Sequence, residues 1–253
     1  MGANAEFEWN EFDSDSYVAQ NYAKMLRADR KFIEIVRDFF AARAPGTALR
    51  GVDVGTGANL YPALLMLPFC EEITLIEYSR SNVRWLHNEI SEPKAGNAGA
   101  RPPGYSQTWD PYWNVLSENR RYRSVGDPRR SLTQRSRIEQ GSIFDLSTDQ
   151  RQWDIGTMFF VAESISRQPE EFRRALHAFI GALRPGALFA AAFMEKSDGY
   201  QVGDRGFPAV QVTEHEVREC LAESCQDVHF DHHTAEPGLR TGYTGMIIAY
   251  GRR

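Results

Sequence analysis

The spacing of hydrophobic positions changes several times along the chain, and each change predicts an element. Over residues 6–43, "DSDSYVAQNYAKMLRADRKFIEIVRDFF" carries apolar residues three and four apart behind Ser/Asp caps, and Pro45-Gly46 stops the pattern. This predicts a helical segment ahead of any sheet. Short apolar runs then alternate with helical patterns: "ALRGVDV" as a strand, "YPALLMLPF" as a helix, "EITLIEY" as a strand and "SNVRWLHNEIS" as a helix. After an interruption come strands in "SRIEQGSIFDL" and "WDIGTMFFVAESIS", a helix in "EEFRRALHAFIGALRPGA" and a strand in "LFAAAFME". A helix from about Thr213 to Ser224 and the strands "QDVHFDHHT" and "YTGMIIAYG" finish the chain. Alternating β and α units of this kind build an α/β domain around a mostly parallel sheet.

The interruption is "PKAGNAGARPPG", a Gly/Pro/Ala-rich loop over 93–104 that opens an insertion rich in aromatics and arginine. The expected organisation is a single domain of residues 1–253. It divides into an N-terminal helical lid (1–46), a βαβα unit (47–92), an insertion or cap (93–135) and the rest of the sheet (136–253).

Composition narrows the class. At 253 residues and 42% hydrophobic content the chain can bury a full core as one domain. No apolar run approaches the roughly 20 residues of a membrane span. A net charge of −5 argues against a nucleic-acid partner. "MGANAEFEWNEFDSDS" lacks the basic start and apolar stretch of a secretory signal, so a cytoplasmic location is expected. Cys70, Cys220 and Cys225 show no metal-ligand spacing, so free thiols and no metal are expected. The expected partner is a small molecule, with the protein a monomer or homodimer.

The candidate chemistry begins at "GVDVGTGANLYPALL", residues 51–65. A dinucleotide fingerprint needs a third glycine where Leu60 stands, and a P-loop needs a Lys-Ser/Thr pair that does not follow. What remains is an acid-x-Gly-x-Gly turn, Asp53 to Gly57, with Glu77 twenty residues beyond at the end of the second strand. A carboxylate there can accept both ribose hydroxyls, while Gly55 and Gly57 let the backbone approach the ligand. A nucleoside without phosphates fits best, and S-adenosylmethionine is the expected cofactor.

Most of the chain resembles the small-molecule amine methyltransferases typified by nicotinamide, phenylethanolamine and indolethylamine N-methyltransferases. The segments that carry the resemblance are "FDSDSYVAQNY", "VDVGTGANLYPAL", "EEITLIEYSRSNVRWL", "FFVAESIS" and "FRRALHAFIGALRPGALF". It implies a Rossmann-like class I methyltransferase fold, with a seven-stranded sheet, an antiparallel last strand and helices on both faces. It also implies that Tyr17 and Tyr22 close over the methionine end of the cofactor, that Asp53 orients its amino group, and that Thr56, Asn59 and Tyr61 line the glycine turn. Glu77 takes the ribose, Tyr78 flanks the adenine, Asn82 supports the nucleoside, Ser142 and Ile143 meet the adenine, and Phe159 joins the cofactor contacts. Glu163 corresponds to the family glutamate that approaches the substrate amine, which makes it the expected catalytic residue.

Beyond the resemblance, Trp109, Tyr112 and Trp113 are candidate stacking surfaces. Seven arginines between Arg120 and Arg137 form either a solvated face or an anion site. Asp231, His232, His233 and Arg240 are candidates for substrate contact. The leading expectation is methyl transfer to the nitrogen of a small amine. O-methylation of a hydroxyl or carboxyl, a catalytically silent cofactor binder and a dehydrogenase stay open at this point.

Overall fold

A computed structural model describes residues 2–90, 106–147, 152–235 and 242–253. Its centre is a seven-stranded sheet in the order β3-β2-β1-β4-β5-β9-β8. The strands are β1 (Leu49–Val54), β2 (Cys70–Glu77), β3 (Ser136–Gln140), β4 (Trp153–Phe159), β5 (Leu183–Glu195), β8 (Gln226–Thr234) and β9 (Gly245–Arg252), and β6 (Tyr200–Val202) pairs with β7 (Arg205–Phe207) as a separate hairpin. The first five strands of the sheet pair in parallel, and β9 runs antiparallel to both β5 and β8. The α/β class, the strand count and the antiparallel last strand are as the sequence predicts.

Alternation along β5 divides the core in two. Leu188, Ala190, Ala192 and Met194 face one apolar cluster, whereas Phe189, Ala191 and Phe193 face the other. This is the period-two rule of a strand covered on both faces. The first face packs α2 (Arg27–Arg43), whose Phe32, Ile33, Val36 and Phe40 are buried, together with α3 (Tyr61–Met66), α4 (Arg80–Ile90) and α5 (Asp110–Leu116). The second packs α8 (Pro169–Ala182) and α9 (Glu214–Ala222). Two short helices, α6 (Arg120–Arg123) and α7 (Pro128–Arg135), lead into β3.

Three features differ from the sequence expectation. The N-terminal helix is broken: α1 (Ser14–Asn21) ends where Asn21 Nδ2 donates to the Tyr17 carbonyl, and the extended Leu26 starts α2 in a new direction. The break turns Tyr22 inward, where it is 4% exposed. The second half of the insertion is core rather than cap. Trp109 and Tyr112 are wholly buried, and Trp109 Nε1 donates to Glu89 Oε1 at 3.0 Å. The β6–β7 hairpin was not expected at all, although Gly203-Asp204 between alternating apolar residues is a hairpin signal. The loop expected over 93–104 lies outside the described residues.

Candidate active site

The C-terminal ends of β1, β2 and β4 lie side by side in the sheet, and α/β folds bind ligands in the crevice beyond such strand ends. Here the crevice is a cleft lined by the ends of β1, β2 and β4 and by the segment ahead of α2. At its floor β1 turns into α3 through two glycines in the left-handed region, Gly55 at φ +67° and Gly57 at φ +58°. A Cβ on Gly55 would lie 2.6 Å from Val161 Cγ1, so glycine there is required by space as well as by backbone.

The turn is held from β2. Glu77 accepts hydrogen bonds from the backbone N–H groups of Gly57 at 2.8 Å and Ser79 at 2.7 Å. Burial pushes the Glu77 carboxyl above its ordinary range, and these hydrogen bonds pull it part of the way back. One carboxylate therefore fixes the glycine turn and still keeps lone pairs for hydroxyls of a ligand. Beside it, Asn82 accepts from Ser14 Oγ at 2.7 Å, which ties the N-terminal segment to the part of the cleft around Glu77.

Of the expected cofactor residues, Tyr17, Tyr22, Gly55, Thr56, Gly57, Asn59, Glu77, Tyr78, Asn82, Ser142, Ile143 and Phe159 all line this one cleft. Three expected residues do not. Asp53 lies beneath the turn, 1% exposed, and accepts from Thr157 Oγ1 at 2.7 Å, while its Oδ2 has no hydrogen-bond partner. Burial pushes its carboxyl up to about 7, the Thr157 bond lowers it in part, and the nearby Glu77 charge raises it further. Tyr61, at the start of α3, is wholly buried. Its ring stacks on Tyr112 with centroids 5.4 Å apart, and its hydroxyl donates to Asp29 at 3.1 Å. Glu163 is wholly buried away from the cleft and accepts from Ser164 Oγ at 3.0 Å and the Met194 N–H at 3.1 Å. The expected catalytic carboxylate is turned into the protein because the chain reverses after β4. Phe160 there adopts φ +61°, a left-handed conformation that costs a non-glycine residue about 1–2 kcal/mol.

The sequence reading missed a further part of the wall. Trp9, Phe12, Phe160, Val161, Ile165 and Tyr200 line it. Trp9 and Phe12 sit in a small apolar cluster with Val202 and Phe207 of the hairpin, and Trp9 stacks on Phe207 at 5.3 Å. Glu11 and Arg205 add an ion pair across the same junction. The N-terminal segment and the hairpin thus form one roof. The signal for half of it was the hairpin turn; the aromatics before α1 had no periodicity to reveal them.

The remaining candidates lie elsewhere. Trp109, Tyr112 and Trp113 do not reach the cleft. Several arginines of the insertion serve local structure: Arg135 donates to the Leu67 and Cys70 carbonyls, Arg121 to the Ala44 carbonyl, and Arg129 and Arg137 pair with Asp110 and Glu139. Asp231, His232 and His233 face a shallow surface hollow beside α2, where His232 meets Glu195 at 3.1 Å. Arg240 lies outside the described residues. The three cysteines are free.

Comparison with known proteins agrees with this architecture. The sequence model of the NNMT/PNMT/TEMT family matches residues 133–248. Phenylethanolamine N-methyltransferase of Sus scrofa is 27% identical over 280 aligned residues, which span 97% of this chain and 89% of that protein. Part of the chain is thus similar to this family. The fold is that of S-adenosylmethionine-dependent methyltransferases. One such enzyme from Methanosarcina mazei superposes with a TM-score of 0.55 at 14% identity, covering 84% of this chain and 96% of that one. Magnesium protoporphyrin IX methyltransferase of Synechocystis, solved with bound SAH, gives a TM-score of 0.53 at 11% identity, covering 96% of each chain.

Proposed function

We propose that the cleft holds S-adenosylmethionine and that the protein transfers its methyl group to the nitrogen of a small-molecule amine. The observation that carries the cofactor assignment is the Glu77 carboxylate, fixed by Gly57 and Ser79 in a cleft whose other described lining residues are uncharged. A carboxylate acceptor suits ribose hydroxyls, and a described lining without lysine or arginine suits an adenosine without phosphates. Ile143 and Phe159 offer apolar faces to the base, and Ser142 sits beside them. Tyr17 and Tyr22, 5.8 Å apart between ring centroids, are the candidates for the amino-acid end.

When bound, the cofactor supplies a methyl group on a sulfonium. The protein has to bring a neutral lone pair into line with that methyl and exclude water, and alignment of this quality can supply about 7–11 kcal/mol of a barrier. The roof of Trp9, Phe12 and Tyr200 over the aromatic wall supports that role. A relative that methylates phenylethanolamine supports nitrogen as the acceptor. No helix among the described residues is long and apolar enough to cross a membrane, and we place the protein in the cytoplasm as a monomer or homodimer.

Calorimetry tests the cofactor assignment. S-adenosylhomocysteine should bind and NADH should not. Glu77→Ala should weaken binding by about tenfold or more, as expected for loss of a charged hydrogen bond. Undiminished affinity in Glu77→Ala would overturn the ribose assignment.

A further inference from the structure

β4 and β5 pair in parallel only as far as Phe159 and Ala192. Beyond this point β4 leaves the sheet, but β5 continues to Glu195. The Phe160 N–H makes the last backbone contact, donating to the Ala192 carbonyl at 2.7 Å. Because the backbone groups of residues two apart on a strand point the same way, the Met194 N–H faces the gap that β4 has left. The Glu163 side chain fills that gap, accepting from the Met194 N–H at 3.1 Å. It also accepts from the hydroxyl of Ser164, a residue of the cleft wall, at 3.0 Å. Its own carbonyl accepts from the Val210 N–H at 2.8 Å. Glu163 thus fastens the turn of residues 160–165 to β5 and to the segment after the hairpin.

That turn supplies Phe160, Val161, Ser164 and Ile165 to the wall of the cleft. It contains the left-handed Phe160, so it needs external contacts to persist. Among the described residues lining the cleft, the carboxylate is Glu77.

We propose that Glu163 is a positioning residue: it substitutes for the missing strand neighbour of Met194, and so sets the acceptor-side wall, without touching the substrate amine or taking its proton. The inference rests on the proposed methyl transfer only for its kinetic readout. The amine then enters in its neutral form and the proton leaves to solvent.

Two variants test this, with the Met194 amide followed by NMR hydrogen exchange and turnover followed by adenosylhomocysteine release from small amines. Glu163→Gln keeps a carbonyl oxygen for both donors, so Met194 should stay protected. Its kcat/KM should remain within about fivefold of the parent, the difference between a charged and a neutral hydrogen bond. The pH profile of its activity should be unmoved. Glu163→Ala removes the acceptor, so exchange at Met194 should accelerate and kcat/KM should fall by about a hundredfold through misplacement of the wall, chiefly in the acceptor KM. A loss of a hundredfold or more in Glu163→Gln with a shifted pH profile would instead mark a proton acceptor in the reaction and overturn the proposal, as would unchanged exchange at Met194 in Glu163→Ala. If Glu163→Ala does not fold, Glu163→Gln alone still decides. If the parent protein methylates no amine, the proposed function fails, and the exchange measurement still judges the contact.

Discussion

Asp53 shows how a residue can sit at the centre of a site without lining it. It occupies the acid position of the glycine turn, yet its side chain points below the turn to Thr157 and has a buried oxygen with no hydrogen-bond partner. The consequence is a pH-dependent stability. Its folded carboxyl is raised to about 7 from an ordinary 3.8, so between these values the folded protein binds a proton that the unfolded chain has released. The stabilisation is therefore fully present below the lower value and is lost as pH rises through the higher one. Glu77, also raised by burial, acts in the same direction. Thermal melts should fall from pH 5 to pH 8, and Asp53→Asn, which keeps an acceptor for Thr157 but has no charge to desolvate, should flatten that fall. An equally steep decline in Asp53→Asn would show that Asp53 is already ionised at low pH.

At the residue scale, most of the residues that the sequence singles out line one cleft, because the glycine turn and Glu77 are fixed by local backbone needs. Asp53, Tyr61 and Glu163 do not line it, because the direction of a side chain near the end of a strand depends on where the chain turns next. Nothing in "FFVAESIS" announces a left-handed Phe160.

Among the elements, the strands of the sheet were legible because uninterrupted apolar runs leave few other arrangements. The roof was not. It joins Trp9 and Phe12, ahead of α1, to a hairpin some 190 residues later, and only tertiary packing brings the two together. Besides the Trp9–Phe207 stack, the N-terminal segment is tied to the Glu77 side by Ser79 Oγ donating to the Trp9 carbonyl at 2.6 Å and by Ser14 to Asn82. A ligand enclosed under this roof must be admitted by its opening. Hydrogen exchange should therefore slow together over residues 4–22 and 200–207 when S-adenosylhomocysteine is added, while the centre of the sheet changes little. Slowing confined to the glycine turn would mean that the roof is static and takes no part in enclosure.

For the whole molecule, a sheet covered on both faces supplies a rigid floor, and the cleft lies beyond three strand ends. In the proposed reading the nucleoside lies at the polar part held by Glu77, and the acceptor lies under the aromatic roof that the N-terminal segment forms with the hairpin. That division matches a reaction in which one ligand must be gripped and the other aligned and kept dry. The most direct test is to incubate the protein with S-adenosylmethionine carrying a deuterated methyl group and a panel of small amines, phenols and carboxylic acids, then read the products by mass spectrometry. The account predicts that the labelled methyl appears on nitrogen of at least one amine, with an equal amount of S-adenosylhomocysteine released. Label found only on oxygen, or S-adenosylmethionine bound but never consumed across the panel, would contradict it.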